Sequence, residues 1–127
     1  MIGYVTLGSN DIPRASAFYD ALLAELGGKR FMEADTFVAW MTEAGGCGLG
    51  ISKPFDGNAA TVGNGTMVAL EVASRDKVDA VYAKALSLGA SDEGAPGERM
   101  PGFYAGYFRD LDGNKLNVYI WQNEAGS

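Results

Sequence analysis

The sequence contains no histidine, and this absence limits the chemistry that its 127 residues can perform. Without an imidazole group there is no Ser-His or Cys-His nucleophile pair, no histidine general base and no histidine-ligated metal site. Acid–base or nucleophilic chemistry is therefore left to Asp, Glu, Tyr, Lys and Arg side chains and to the single cysteine, Cys47.

The charge balance and the apolar runs limit the partners of the protein. Ten basic residues against sixteen acidic residues give a net charge of −6, which opposes binding to the phosphates of nucleic acid. The apolar runs are too short to span a bilayer and the first residues do not resemble a signal peptide, so no membrane association is expected. A lone cysteine cannot form an internal disulfide, which fits a reducing compartment. We expect a cytoplasmic protein of one domain.

The predicted strands and helices that must position these residues form a weak internal repeat along the chain. Tyr4–Leu7 aligns with Met67–Leu70, and in both copies an alternating, strand-like segment is followed by apolar residues at helical spacing. These helical positions are Phe18, Tyr19, Leu22, Leu23 and Leu26 in the first copy, and Val78, Val81, Tyr82, Ala85 and Leu86 in the second.

Capping and turn residues place the boundaries of these elements. Ser9, Asn10 or Asp11 can cap the first helix, and Ser74 the second. Short strands are predicted after each helix, at about residues 29–32, 36–41 and 47–52, then at 90–93, 104–109 and 115–121. The sequence therefore predicts two β-α-β-β-β modules, at about residues 1–53 and 65–121, joined by a linker at about 54–64.

The glycine- and proline-containing stretch of residues 94–102 interrupts the strand pattern of the second module. It is expected to be a flexible connection. As an alternative, Phe103 and Tyr104, which follow it, could form a lid over a cleft.

Three motifs frame this repeat: the opening Met-Ile-Gly-Tyr-Val-Thr-Leu-Gly, the linker Pro54–Gly57 running into Gly63–Leu70, and the ending Gly106–Leu116 with its Asp-Leu-Asp-Gly-Asn-Lys turn. With them the chain resembles the glyoxalase, bleomycin-resistance and extradiol-dioxygenase superfamily, the vicinal oxygen chelate fold. The resemblance implies an α+β fold in which two β-α-β-β-β modules form a curved mixed sheet around a cleft.

The resemblance also implies where a divalent metal would be held in such proteins: by one inward residue from the first and the last strand of each module. Here those positions are Tyr4, Gly50, Met67 and Asn117. A phenol, a missing side chain, a thioether and an amide are poor ligands for divalent ions that usually take His, Glu or Gln there. No metal ligand and no cofactor are therefore expected, although carboxylates and carbonyls elsewhere in the cleft leave a divalent metal open.

Strand alternation predicts the wall of the cleft, because successive side chains point to opposite faces. Leu116, Val118 and Ile120 should face the second helix, which leaves the alternate residues of that strand for the cleft. The substrate-binding residues predicted in this way are Tyr4, Thr6, Met67, Tyr107, Asn117, Tyr119 and Trp121, with Ser52 nearby. Such a wall suits a small flat or partly apolar ligand. Alternatively, these side chains pack on one another or on a second subunit.

Glu71 is the candidate catalytic residue of this wall. A carboxylate on an apolar inward face loses hydration and can then serve as a general base. In the alternative interpretation, Glu71 lies in solvent at a strand end, or pairs with Arg109 or Lys115.

Two functions follow from these residues and the resemblance. In the first, a homodimeric protein binds a small molecule in its cleft without a metal, in the manner of bleomycin-resistance proteins. In the second, the protein is a glyoxalase-type lyase or isomerase, or a dioxygenase-like enzyme. It would use Glu71 with Tyr4 or Tyr107, or an unrecognised metal site.

Overall fold

Both halves of the chain have the β-α-β-β-β order that the sequence predicts. The computed structural model describes residues 1–122. Its contacts divide the chain into two units, Met1–Asn64 and Gly65–Ser127, and each has its own mixed four-stranded sheet. The α+β fold class is thereby confirmed.

The first unit contains five elements: β1 (Tyr4–Gly8), α1 (Ile12–Ala24), β2 (Gly28–Ala34), β3 (Phe37–Thr42) and β4 (Gly48–Ser52). Its sheet has the order β1-β4-β3-β2. The first and last strands, β1 and β4, run parallel at one edge, and the other neighbours are antiparallel.

The second unit repeats this arrangement with β5 (Val68–Glu71), α2 (Arg75–Ser87), β6 (Ser91–Met100), β7 (Phe103–Arg109) and β8 (Lys115–Trp121). The sheet order is β5-β8-β7-β6, again with the first and last strands of the unit parallel. Each unit is therefore one β-α-β-β-β module with the same topology.

Side-chain caps start both helices close to the predicted positions. The Asp11 carboxylate accepts a hydrogen bond from the Arg14 backbone N–H at 3.1 Å, and the Ser74 hydroxyl accepts one from the Lys77 N–H at 3.1 Å. Both bonds satisfy an amide that the first helical turn leaves without a partner. Pro13 lies in the first turn of α1, where its missing N–H costs nothing.

The core of each unit lies between its helix and one face of its sheet. In the first unit Tyr19 and Leu22 of α1 are fully buried, as is Ile51 of β4. In the second unit Val78, Val81 and Ala85 of α2 are fully buried, with Leu116 and Val118 of β8. These apolar positions recur at helical spacing in the helices and at every second residue in the strands, as the sequence predicts.

The prediction of a flexible connection at residues 94–102 was wrong, because residues 94–100 belong to β6 and residues 101–102 form the turn to β7. The strand pairs with β7 through three register shifts, which lie between Asp92 and Gly94, between Gly94 and Gly97, and between Glu98 and Met100. As β6 is an edge strand, a proline and local bulges cost few ladder hydrogen bonds there. The lid is also wrong: Phe103 pairs with Met100 at the start of β7, and the Tyr104 hydroxyl donates to Asp79 of α2 at 2.6 Å.

Within residues 1–122, none of the helices is long and apolar enough to cross a bilayer.

Candidate functional site

Each sheet has a second face that is turned away from the helix of its own unit, and we call it the open face. On the open face of the second unit, Asn117 of β8 lies at the centre of a row across the sheet. The register places Ala69 of β5 on one side of it and Tyr107 of β7 on the other. Tyr119 and Trp121 follow on the same side of β8, as strand alternation predicts.

Asn117 combines burial with an unused hydrogen-bond acceptor. The residue is 2% exposed, and its Oδ1 atom has no hydrogen-bond partner among residues 1–122. Buried polar atoms are paired in the great majority of cases, because an unpaired one costs free energy. Its neighbour on β5, Ala69, is exposed and small, so that strand places no large side chain beside the amide. Asn117 thus provides an acceptor that a bound molecule can satisfy.

Three aromatic side chains form an apolar group beside Asn117. The ring of Phe103 lies 5.6 Å from that of Tyr119 and 5.0 Å from that of Trp121, measured between centroids. Trp121 is 52% exposed, which leaves apolar area available. Burial, and then the charge of Glu71, raise the pKa of the Tyr119 phenol. The phenol therefore stays protonated at neutral pH and can donate a hydrogen bond.

Tyr107 lies under two cations. The Arg99 guanidinium is 5.3 Å from the centroid of its ring, and the Lys115 ammonium is 5.6 Å from it. Both distances fall within the range of cation–π attraction. The predicted wall of tyrosines thus carries positive charge as well as aromatic surface.

Glu71 is exposed at the end of β5. Arg109, one of the partners considered for it, instead forms an ion pair with Glu93 at 3.1 Å. The Lys115 ammonium lies over Tyr107. Within its own unit Glu71 is therefore hydrated, and its use as a general base stays a prediction.

The open face of the first unit carries smaller and more apolar side chains than the open face of the second unit. Tyr4 is 62% exposed at the start of β1, and Thr6 follows on the same side. A Cβ atom added to Gly50 would lie 2.8 Å from the Phe37 ring, so this ring already fills the space above the glycine. Phe37 was not among the predicted site residues.

The four positions that the family resemblance assigns to a metal do not fit one. Gly50 offers no donor and no room for one, because Phe37 covers it. Met67, which lies just before β5, supplies only a thioether, and Tyr4 and Asn117 supply a phenol and an amide. Among residues 1–122 there is also no group of three His, Cys, Asp or Glu side chains that could hold an ion.

A groove of about 610 Å³ lies at one end of the first unit's open face. It is bounded by Thr6, Gly8, Ser52 and Lys53 and by residues 54–56 and 58–61 of the linker. The Asn10 side chain holds the linker there, because its Oδ1 accepts from the Ala60 N–H at 2.7 Å. This groove explains why Thr6 and Ser52 are accessible, and it contains none of the aromatic residues of the predicted wall.

The comparisons with known proteins place this geometry among related folds. A family model described as the Glyoxalase/Bleomycin resistance protein/Dioxygenase superfamily matches residues 1–118. A solved glyoxalase/bleomycin resistance protein from Albidiferax ferrireducens T118 is 32% identical, with a TM-score of 0.87 over 96% of this chain and 99% of that chain. No protein of curated function gives a significant match.

More distant structures share the fold. A glyoxalase/bleomycin resistance protein/dioxygenase family enzyme from Burkholderia phytofirmans PsJN is 18% identical, with a TM-score of 0.77 over 94% of this chain and 98% of that chain. A lactoylglutathione lyase from Agrobacterium tumefaciens is 19% identical, with a TM-score of 0.69 over 94% of this chain and 92% of that chain. At these identities the likeness concerns the fold alone.

Proposed function

Because this chain belongs to the glyoxalase/bleomycin resistance protein/dioxygenase superfamily, we propose that it binds a small, flat, partly apolar molecule on the open face of its second module. The observation that carries the proposal is the buried Asn117 Oδ1, which lacks a hydrogen-bond donor among the described residues. The binding needs no metal, and the protein acts by holding its ligand.

The residues of this face have complementary tasks. Phe103, Tyr119 and Trp121 supply apolar contact area, and Asn117 fixes orientation by accepting one hydrogen bond. Tyr107 contributes an aromatic ring and a phenol on the same face. Met67, which is 42% exposed just before β5, is a further contact that we propose. The binding roles predicted for Tyr4 and Thr6, on the open face of the first module, stay predictions.

A titration with a screened ligand tests this function. Thermal-shift screening of flat aromatic compounds supplies the probe, and NMR titration then measures its affinity for wild type and for Asn117→Leu. We expect binding to weaken about fivefold or more, since one hydrogen bond to a buried acceptor is lost. Asn58→Leu, a change at an exposed linker asparagine, is the matched control and should bind normally. Equal affinity of wild type and Asn117→Leu would contradict the proposed site.

A chelator tests whether the protein functions without a bound metal. A metal bound only to the native state would raise the melting temperature by mass action. We expect EDTA to leave the melting temperature unchanged, because Gly50 and Met67 provide no ligand for a divalent ion. A clear decrease, reversed by one divalent ion, would refute metal-free binding.

A lyase or isomerase of glyoxalase type is the second candidate function. It is favoured by one pair on the open face: Glu71 lies directly across from Tyr119, whose phenol stays protonated. A carboxylate and a phenol side by side could move a proton of a bound substrate. An assay for formation of lactoylglutathione, with and without added Zn²⁺, tests it. Activity that Glu71→Gln abolishes and Glu93→Gln preserves would replace the binding function by the enzymatic one.

We further propose that the protein is a cytoplasmic homodimer. Exposed apolar side chains on or beside the open faces, such as Phe31, Met32 and Trp121, provide area that a second copy can cover. The exposed thiol of Cys47 fits a reducing compartment. Light scattering should give twice the chain mass of 13.4 kDa at micromolar concentration, and the monomer mass would refute the dimer.

A further inference from the structure

We infer that the ligand of the second module is a small planar anion, a carboxylate that also carries an O–H or N–H donor, whose charged group is bound by Arg99 and Lys115. This inference rests on the proposed function and names the chemical class of its ligand.

Arg99 is exposed, and two contacts hold its guanidinium in place. Its Nη2 atom donates to the Ala95 carbonyl at 2.6 Å, and its guanidinium lies over the Tyr107 ring. The other side of the group lies against the backbone of β6. A Cβ atom at Gly94 would be 3.1 Å from Nη2, and one at Gly97 would be 2.8 Å from Nη1. The two glycines thus provide the room in which the guanidinium packs against Tyr107.

Neither cation over Tyr107 has a carboxylate partner in the part of the chain that the structure describes. In the second module Arg75 pairs with Glu98 and Arg109 pairs with Glu93, whereas Arg99 and Lys115 form no ion pair with another of residues 1–122. The chain as a whole carries a net charge of −6, so this local excess of positive charge runs against its average. Two unpaired cations beside one aromatic ring favour an anion, and guanidinium suits the two oxygens of a carboxylate.

Asn117 sets the second requirement on the ligand, which is a hydrogen-bond donor. It lies directly across the β7–β8 pair from Tyr107, so an anion held by the cations reaches the amide with its other end. Because Oδ1 accepts only, that end of the ligand must donate a hydrogen bond. The aromatic group of Phe103, Tyr119 and Trp121 continues the same face and favours a flat frame between the two polar ends.

Three compounds separate these requirements: 4-hydroxybenzoate has the charge and the donor, 4-hydroxybenzamide lacks the charge, and benzoate lacks the hydroxyl donor. We expect 4-hydroxybenzoate to bind about fivefold more tightly than either relative in NMR titrations at low salt. Arg99→Gln should remove its advantage over the amide, and Arg99→Lys should retain most of it. Lys84→Gln, which removes the same charge from α2 on the other side of the sheet, should change nothing.

Each outcome of these titrations has one meaning. Equal binding of 4-hydroxybenzoate and 4-hydroxybenzamide overturns the anion, while the site itself stands. Equal binding of 4-hydroxybenzoate and benzoate overturns the donor to Asn117. An equal loss in Arg99→Gln and Lys84→Gln shows a general charge effect and overturns the role of Arg99. If none of the three compounds shifts the resonances of Asn117 or Tyr107, both the inference and the proposed function fail.

Discussion

The two modules share their topology and differ on their open faces. In the first module, Phe37 packs onto Gly50 and closes the place where the family resemblance implies a ligand. In the second, the buried Oδ1 of Asn117 has no hydrogen-bond partner within the described range 1–122, and three packed aromatic rings lie beside it. The helix-facing positions carry the fold in both, so the open faces are free to differ. One module provides a filled surface, and the other provides the groups that we assign to binding.

The helix sides of the modules resemble each other more closely. In the first module the Trp40 indole donates to Asp20 of α1 at 2.9 Å, and Arg30 lies over the indole ring. In the second, the Tyr104 hydroxyl donates to Asp79 of α2, and Arg75 lies over the phenol ring. Both modules join helix to sheet through an aromatic donor, a carboxylate and an arginine, although the residue types differ.

Removing the aromatic hydrogen-bond donor should have the largest effect on stability, and this effect should differ between the two modules. Trp40→Ala deletes an indole that is 2% exposed, and we expect the free energy of unfolding to fall by about 3–5 kcal/mol. Tyr104→Ala should cost clearly less, because that ring is only half-buried. Urea denaturation followed by circular dichroism measures both. Equal losses of stability in Trp40→Ala and Tyr104→Ala would contradict the expected effect of their different burial.

Adding one methyl group tests whether the first module's open face is filled. Gly50→Ala should lower the free energy of unfolding by about 1–3 kcal/mol, since its Cβ meets the Phe37 ring. Gly48→Ala is the matched control on the same strand. There the nearest atoms are the mobile end of Met41 and the exposed Phe31 ring, both at 3.3 Å, so a smaller loss is expected. The effects of Gly50→Ala and Phe37→Ala should not add. Additive losses would exclude the contact.

Replacing Asn117, whose Oδ1 finds no partner in residues 1–122, should change the stability of the second module in the opposite direction. Asn117→Leu should raise the free energy of unfolding of the ligand-free protein by about 1 kcal/mol, because an unsatisfied buried oxygen is removed. Asn114→Leu is the control, since this buried amide donates to Asp110 at 3.1 Å and its loss should destabilise. Thermal melts of the two variants give the comparison. Destabilisation by Asn117→Leu would mean that the amide has a structural role.

The smallest effect concerns the pH dependence of the first module. The hydrogen bond from Arg30 holds the pKa of Asp20 below its ordinary value of 3.8, with Trp40 adding to the effect. The folded state thus binds this proton less readily than the unfolded state. The pair therefore stabilises fully above pH 3.8 and loses its contribution as the pH falls below it.

We expect Asp20→Asn to lose less than about 1 kcal/mol at neutral pH, because the carboxylate is partly exposed. The difference from wild type should shrink in acid. Arg30→Gln should give the same pH profile, and urea titrations across the acid range measure both. If the difference in stability between wild type and Asp20→Asn grew as the pH fell, the lowered pKa of Asp20 would be contradicted.

Local patterns were sufficient to predict most of the fold. Helical spacing and capping placed both helices, with Asp11 and Ser74 as the caps. The extent of β6 could not be predicted in this way, because Gly94, Pro96 and Gly97 disfavour a strand locally. Pairing with β7 through register shifts overrides that preference. The same error hid Arg99, which was assigned to a connection.

For the site, strand alternation correctly placed Asn117, Tyr119 and Trp121 on one side of β8, with Tyr107 across from Asn117. The role of Phe37 was missed, although alternation along β3 puts it on the open face with Ala39, which pairs with Gly50. Strand alternation does not predict in which direction along the sheet an aromatic ring points. That a diagonal neighbour, Phe37, fills the space at Gly50 depends on side-chain packing between strands.

The contact of Phe37 with Gly50 also has a consequence for the mutational history open to this chain. A side chain at position 50 is obstructed while the ring remains, and loss of the ring alone exposes an apolar gap. Introducing a ligand-bearing residue there therefore takes two substitutions in order, the first at position 37. Because that first step brings no benefit of its own, single-step selection meets a barrier.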